Sequence, residues 1–175
     1  PKKGTKKIAA WYGLAELKLE AYQTSVNATL PDARKKILAI AKSRCTTMTT
    51  ADQVDLERGI YNFTIENAKQ RAIRAVWENS EFCCLYEINA RRTISNIDAS
   101  SYVGNTRLLT RLQDKEFPPH DLAAMAFHEL LPEKWGDLIE TSIKREAKML
   151  EVDKSMATDM FRCSRCGKRQ CTYYE

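Results

Sequence analysis

The sequence contains little of the glycine and proline that interrupt helices, and it has no long apolar run. Six glycines and five prolines are spread over 175 residues, which favours long helices over the frequent tight turns of a β-protein. No stretch approaches the roughly 20 consecutive apolar residues that span a bilayer. The basic start, residues 1–7, leads only into the short apolar run 8–11, which does not make a signal peptide. We therefore expect an intracellular protein with no membrane partner.

Signatures of enzymes are also missing. The sequence has no Gly-x-Gly-x-x-Gly motif, no Walker loop and two histidines, so nothing supports dinucleotide binding, nucleotide hydrolysis or Ser/His/Asp catalysis. Lys and Arg number 28 against 23 Asp and Glu, which gives a net charge of +5. This mildly basic balance permits nucleic-acid binding without demanding it. Hydrophobic residues make up 43%, which indicates a folded domain.

Apolar residues recur every three or four positions, which predicts an all-α fold built as a helical bundle. The expected helices cover 5–23, about 31–44, 50–77, a segment capped by Asn79-Ser80, a short segment around Leu108–Leu112, another ending near 128, and one from Pro132 to about 150. Thr50 and Gln53 have the spacing of a capping box at the start of the third helix. Residues 98–104 form a polar loop in this scheme.

The same pattern predicts four parts in the chain. Residues 1–29 are an N-terminal helix or inter-domain segment, 30–150 a compact helical domain, 151–161 a linker, and 162–175 the incomplete start of a small cysteine-rich β-element. The chain begins with Pro and not Met, which we take as a sign of processing or of a fragment.

Three of the six cysteines fall in the last thirteen residues. Cys163 and Cys166 are two residues apart, a spacing at which both thiolates can bind one tetrahedral Zn²⁺, and Gly167 then lets the chain turn back. Structural zinc needs four ligands. Three interpretations stay open: half of a zinc ribbon, a knuckle that adds Cys171, and reduced thiols without metal.

Three separated motifs carry a resemblance to one family. They are Met-Ala-Thr-Asp-Met-Phe-Arg-Cys-Ser-Arg-Cys-Gly-Lys-Arg-Gln-Cys-Thr-Tyr-Tyr at 156–174, Arg-Arg-Thr-Ile-Ser-Asn-Ile-Asp at 91–98, and Phe-Pro-Pro at 117–119 with Leu-Ala-Ala-Met at 122–125 and Glu129-Leu130. In this order they resemble the central domain, linker and zinc-ribbon opening of the transcription elongation factor TFIIS family. The resemblance covers roughly residues 30–175. The divergence of the central helices leads us to expect a homologue from a large DNA virus.

This resemblance implies a three-helix central domain with extra helices that docks on a multisubunit DNA-dependent RNA polymerase. The resemblance implies an activator and not an enzyme. Its linker passes through the polymerase pore, and its ribbon carries an acidic Asp-Glu pair to the active centre. There the pair meets the nucleic acid of the elongation complex. There the polymerase cleaves backtracked RNA and rescues arrested complexes. That pair is expected beyond Glu175, so the 175 residues contain no catalytic residue, and we expect them to bind polymerase without stimulating cleavage.

The resemblance also assigns candidate site residues. Cys163 and Cys166 bind Zn²⁺ in the complete protein. Arg91 and Arg92 lie off the apolar stripe of their helix, Arg91 only partly, and form with Lys35 and Lys36 the expected polymerase contacts. Met156, Thr158, Asp159 and Phe161 belong to the pore segment.

Two other functions compete with this one. A zinc-knuckle nucleic-acid-binding protein would use the basic tail, and a permanent TFIIS-like polymerase subunit would never leave the enzyme. The expected state is a monomer, located in the nucleus if cellular, or in a cytoplasmic virus factory or virion if viral.

Overall fold

A computed structural model describes residues 12–23, 25, 29–150 and 159–169, with Met149 and Leu150 described by their backbone alone. The chain divides into two compact units, residues 1–131 and 132–175, and each unit is described by itself. The four-part organisation expected from the sequence stays a prediction.

All regular elements among the described residues are helices, and no strand is present among them. The first unit contains α1 (Asp32–Arg44), α2 (Thr50–Gln70), α3 (Ser80–Ile97), α4 (Arg107–Gln113), a 3-10 helix (Pro119–Ala123) and α5 (Phe127–Leu130), and the second contains α6 (Pro132–Leu150). This confirms the helical bundle. The β zinc ribbon stays a prediction, since residues 162–169 form turns and 170–175 lie outside the described residues. No described helix has the length and apolar character that crossing a bilayer requires.

Helix α2 forms the centre of the first unit. It packs against α1, α3 and the 3-10 helix, and its residues Leu56 and Ile60 are fully buried. The core side chains around them are Ile37 and Ala41 of α1, Tyr86, Ala90 and Ile94 of α3, Leu108 of α4, and Leu122 of the 3-10 helix. Their spacing of three or four positions places one face of each helix toward α2. Burying each large aliphatic side chain contributes about 1.5–3 kcal/mol.

Both ends of α2 differ from the prediction. The helix is capped by Thr49, whose Oγ1 accepts a hydrogen bond from the Asp52 N–H at 3.2 Å, so the expected capping box at Thr50 is wrong. Gln53 instead donates from Nε2 to the Cys45 and Met48 carbonyls. The helix ends at Gln70 and not near 77, because Ala72 takes a left-handed conformation with φ of 55°. The Ile73 N–H then bonds the Ala68 carbonyl at 2.8 Å, which closes the helix as a Schellman motif.

The N-terminal segment, residues 12–23 and 25, contains no helix, so the helix expected near 5–23 is wrong for these residues; residues 1–11 lie outside the description. Leu19 and Tyr22 gave the segment its helical pattern, yet both are exposed. Leu17 is the partly buried one and packs on the core. Helical spacing alone therefore did not identify the buried side chain.

This segment lies along α2 and is held mainly by its own main chain. Asn62 bonds Glu20 twice, accepting from its N–H at 2.9 Å and donating to its carbonyl at 2.8 Å. Tyr61 donates to the Lys18 carbonyl at 3.1 Å, and the Leu17 N–H donates to the Ala75 carbonyl at 2.8 Å. Arg58 donates to the carbonyls of Ala21, Gln23 and Ser25. Side chains of α2 thus satisfy backbone groups that a helix would have satisfied internally.

A buried ion-pair network fastens the segment to α1 and α2. Arg34 and Glu57, which are 1% and 2% exposed, form two parallel hydrogen bonds of 2.8 Å. Arg34 also bonds Glu20 of the N-terminal segment at 2.6 Å, and Tyr86 donates to Glu57 at 2.6 Å. Burial lowers the pKa of Arg34, but its bonds to Glu57 and Glu20 outweigh that effect and raise the pKa above its ordinary value. The guanidinium is therefore charged and fully paired in the core.

Candidate docking surface and cysteine turn

Residues 163–168 form a compact turn that carries the Cys-x2-Cys pair. The Gly167 N–H donates to the Cys163 carbonyl, and the Cys163 N–H donates to the Lys168 carbonyl, both at 2.9 Å. Gly167 has φ of +70°, a left-handed conformation that glycine adopts without a Cβ penalty. The Arg162 guanidinium closes the turn by donating from Nε to the Gly167 carbonyl at 3.0 Å. Local backbone bonds therefore shape this turn.

The donor set of the turn fits half of a tetrahedral zinc site. Cys163 is half-buried and Cys166 exposed, and thiolates are the ligands that structural zinc prefers. Among the described residues no group of three or more Cys, His, Asp or Glu side chains is placed to hold a metal ion. Cys171, the extra ligand of the knuckle interpretation, lies outside those residues. Zn²⁺ binding by Cys163 and Cys166 stays a prediction.

The expected pore segment is described only in its last part. Met156 and Thr158 lie outside the described residues. Asp159 and Phe161 are exposed and lie in bends outside any helix. Their contact with a polymerase pore stays a prediction.

The two arginines of the basic helix have opposite environments. Arg92 is half-buried, donates from Nη2 to the Met125 carbonyl, and lies over the rings of Phe127 and Phe63, with its guanidinium carbon 4.6 and 5.9 Å from the ring centroids. Burial lowers the pKa of this guanidinium. Arg91 is exposed. The expectation that Arg92 points further from the core than Arg91 is wrong, because Arg92 ties α3 to the segment between the 3-10 helix and α5.

The structure brings Arg91 together with Lys36 but not with Lys35. Arg91 and Lys36 line one groove between α1 and α3, with a volume of about 410 Å³. Lys35 is exposed and pairs with Asp32 on its own helix at 3.1 Å. We call this cleft the α1–α3 groove; its lining is Lys36, Ile37, Ile40 and Arg44 of α1, Glu87, Ala90, Arg91, Ile94 and Ser95 of α3, and Asp98, Ser101 and Tyr102 of the following loop.

The loop that follows α3 closes one end of the groove. Asp98 accepts hydrogen bonds from the Ser100 hydroxyl at 2.6 Å and the Ser100 N–H at 2.9 Å. These bonds, with the charge of Arg44 at 3.5 Å, hold the pKa of Asp98 below its ordinary value. Ser101 donates to the Ser95 carbonyl. Hydrogen bonds thus hold the loop at Asp98 and Ser101. Tyr102, which follows them, is 90% exposed.

Part of this chain has a relative among proteins of known function. The elongation factor TFIIS of Arabidopsis thaliana is 29% identical to it over 75 residues, which are 41% of this chain and 19% of that protein. The chain resembles TFIIS. It spans about a fifth of that relative's length. No family model matches the chain, and no solved structure matches it.

The TFIIS-like relationship rests on this similarity, and it agrees with the three motifs at residues 91–98, 117–130 and 156–174. Those motifs did not indicate the groove. The sequence did not predict Ile40, Arg44 and Tyr102 as site residues, because no motif contains them. The available signal was the position of Ile40 beside Ile37 and Ala41, which makes the apolar face of α1 wider than a buried helix face requires.

Proposed function

We propose that this chain is the docking part of a TFIIS-type transcription elongation factor, which binds a multisubunit RNA polymerase and stimulates the polymerase's own cleavage of backtracked RNA. The similarity to TFIIS carries the proposal. The order of a helical bundle followed by a Cys-x2-Cys turn supports it, because the family has its docking domain before its zinc ribbon.

In this proposal the parts of the chain have separate tasks. The first unit, whose core packs around α2, docks on the outside of the polymerase. Residues 151–161 lead into the pore, and the turn at Cys163 and Cys166 begins the ribbon that reaches the active centre. Zn²⁺, bound there with two further ligands, would stabilise the ribbon fold and take no part in chemistry.

The reaction belongs to the polymerase, so the chain is an activator. Carboxylates are hard oxygen ligands for Mg²⁺, and two-metal cleavage of RNA needs negative charge beside the attacking water. The family supplies this charge through an Asp-Glu pair on its ribbon. No Asp-Glu pair follows Cys171 within these 175 residues. We propose docking on the polymerase as the task of the residues that the structure describes, and we assign the Asp-Glu charge to the ribbon of the whole factor.

Binding to a stalled elongation complex tests the proposal. The complex is assembled on immobilised DNA with the polymerase of the source organism and a backtracked transcript, and the retained chain is quantified. We expect retention on the complex, competition by full-length TFIIS of that organism, and no retention on the same DNA and RNA without polymerase. Equal retention with and without polymerase would reject the proposal.

A direct nucleic-acid-binding function is the second candidate, favoured by the exposed side chains of Arg165, Lys168 and Arg169 around the cysteine turn. It predicts affinity for free RNA that falls steeply as salt increases. A permanent polymerase subunit predicts a third outcome, co-purification at fixed stoichiometry through high salt. The retention assay, repeated over a salt series, separates all three.

A further inference from the structure

The α1–α3 groove combines an apolar floor with a charged rim, and the sequence-derived function does not explain this combination. Its floor is formed by Ile37, Ile40, Ala90 and Ile94, and Ile40 keeps 38% of its surface exposed. A volume of about 410 Å³ falls in the range of about 300–1,000 Å³ that is typical of ligand pockets. The groove is therefore large enough to receive side chains from another molecule.

The two ends of the groove differ in charge. Arg44 pairs with Asp98 at 3.5 Å, so this end, beside Tyr102, is internally neutralised. Lys36 and Arg91 line the other part of the groove with Glu87, and no ion pair within 4 Å joins either cation to a described residue. Lys36 lies eight residues before Arg44, about 12 Å along α1. The groove thus offers unsatisfied positive charge about 12 Å from a neutral, aromatic end.

We propose that the α1–α3 groove binds a short acidic and apolar segment of a partner protein, whose carboxylate contacts Lys36 and Arg91 and whose apolar side chains cover Ile40 and pack toward Tyr102. About 12 Å corresponds to four residues of extended chain or two turns of helix. The inference rests on the proposed function, in which the partner is the RNA polymerase, and it adds the contact surface and the chemistry of the polymerase segment.

A protein segment fits the groove better than a nucleic acid does. Among the described residues that line the groove, Tyr102 is the single aromatic ring, and Lys36 and Arg91 occupy one part of the lining rather than its whole length. Binding to single-stranded nucleic acid uses several stacking rings along a continuous basic track. An apolar floor with charges at its border is instead the usual construction of a protein interface.

Charge reversal at the rim is the main test. The Lys36→Glu/Arg91→Glu double variant is compared with Lys42→Glu/Lys69→Glu, which makes the same change in net charge at exposed positions outside the groove. Affinity for the purified polymerase is measured by biolayer interferometry at two salt concentrations, and folding is checked by circular dichroism and thermal unfolding. We expect the groove variant to bind at least about tenfold more weakly and the control to bind within about twofold of the unchanged chain.

A second variant tests the apolar floor without altering the basic residues. Ile40→Asp places a carboxylate on the partly exposed floor, and Ile40→Val keeps the floor apolar. We expect a loss of at least about tenfold in polymerase affinity for Ile40→Asp and little change for Ile40→Val. If both remain folded and bind equally well, the floor is not part of the contact.

The outcomes separate this inference from the function on which it depends. If the unchanged chain binds the polymerase and every groove variant binds as tightly, the groove assignment is overturned while docking stands. If the groove variants lose affinity for free RNA and keep affinity for polymerase, the occupant is nucleic acid and the inference is wrong. If the unchanged chain does not bind polymerase, both fail.

Discussion

Gly59 of α2 lies directly against the main chain of His120 in the 3-10 helix. A Cβ on Gly59 would come within 2.3 Å of the His120 carbonyl oxygen and 2.6 Å of its Cα. His120 is fixed there by Asp55, which accepts from its N–H at 3.2 Å and contacts its Nδ1 at 2.7 Å. The absence of a side chain at position 59 therefore allows the 3-10 helix to pack on the central helix.

We predict that Gly59→Ala lowers the free energy of unfolding by about 1–3 kcal/mol, because neither backbone can yield at little cost. This loss outweighs the ~1 kcal/mol that alanine gains over glycine in a helix. Gly136→Ala in α6 is the matched control, since nothing lies within 4 Å of its added Cβ, and we expect it to be neutral or stabilising. Urea unfolding followed by circular dichroism measures both. A fully stable Gly59→Ala variant would contradict this packing.

The adjacent arginines give a second prediction. Arg92→Met removes the bond to the Met125 carbonyl and the contact with Phe127, so we expect a loss of about 1–2 kcal/mol in unfolding free energy. Arg91→Met changes an exposed side chain and leaves stability within about 0.5 kcal/mol. In the polymerase-binding assay the order is reversed, with Arg91→Met the weaker binder. Equal stability of the two variants would show that Arg92 is not a structural residue.

Burial of Cys45 predicts a pH dependence. Desolvation, with the nearby charge of Asp98, raises the pKa of this thiol from 9.0 to about 11. Between these values the unfolded chain releases the thiol proton while the folded chain retains it, so the stabilising contribution is present below pH 9 and is lost as pH rises toward 11. Unfolding free energies at pH 8 and pH 10.5 measure the loss. Cys45→Val, which cannot ionise, should show a smaller decrease, and an identical decrease would assign the effect to other groups such as Tyr61.

Local and long-range contacts differ in how much of them the sequence shows. The starts of α1 and α3 were predicted correctly because Pro31 and the capping Asn79 act within one turn. The end of α2 was missed because Ala72, and not glycine, occupies the left-handed position. The N-terminal segment was missed because its partners Asn62 and Arg58 lie more than 30 residues away. Long-range bonds of this kind leave no periodic signal in a single sequence.

The candidate site shows the same division. The Cys-x2-Cys turn followed by Gly167 is local, and its turn geometry agrees with what the sequence implied. The α1–α3 groove depends on the packing of two helices, so a pair such as Lys36 and Arg91 was predicted only as separate basic residues. Arg91 and Arg92 are about 100° apart around α3, and which of them packs inward depends on the segment around Met125 and Phe127 that contacts Arg92, which a sequence pattern does not show.

Metal binding gives a prediction for the cysteine turn. With the ribbon completed by the two further cysteines that the family supplies, the protein is expected to bind one Zn²⁺, and Co²⁺ substitution should give the charge-transfer bands of tetrahedral thiolate ligation. Cys166→Ser should remove most of this affinity, while Cys84→Ser, which changes an exposed thiol of α3, should leave it unchanged. Full binding by the Cys166→Ser variant would assign the metal to other residues.

RNA cleavage in a backtracked elongation complex tests the central claim most directly. The chain is compared with a version extended through the family's second cysteine pair and acidic Asp-Glu pair, and with the same version carrying an Ala-Ala replacement of that acidic pair. We predict that only the extended version shortens the transcript, that the Ala-Ala replacement abolishes cleavage, and that the chain alone competes with the extended version for the polymerase. An extended version that binds free RNA, does not bind the polymerase and leaves the transcript intact would contradict the account.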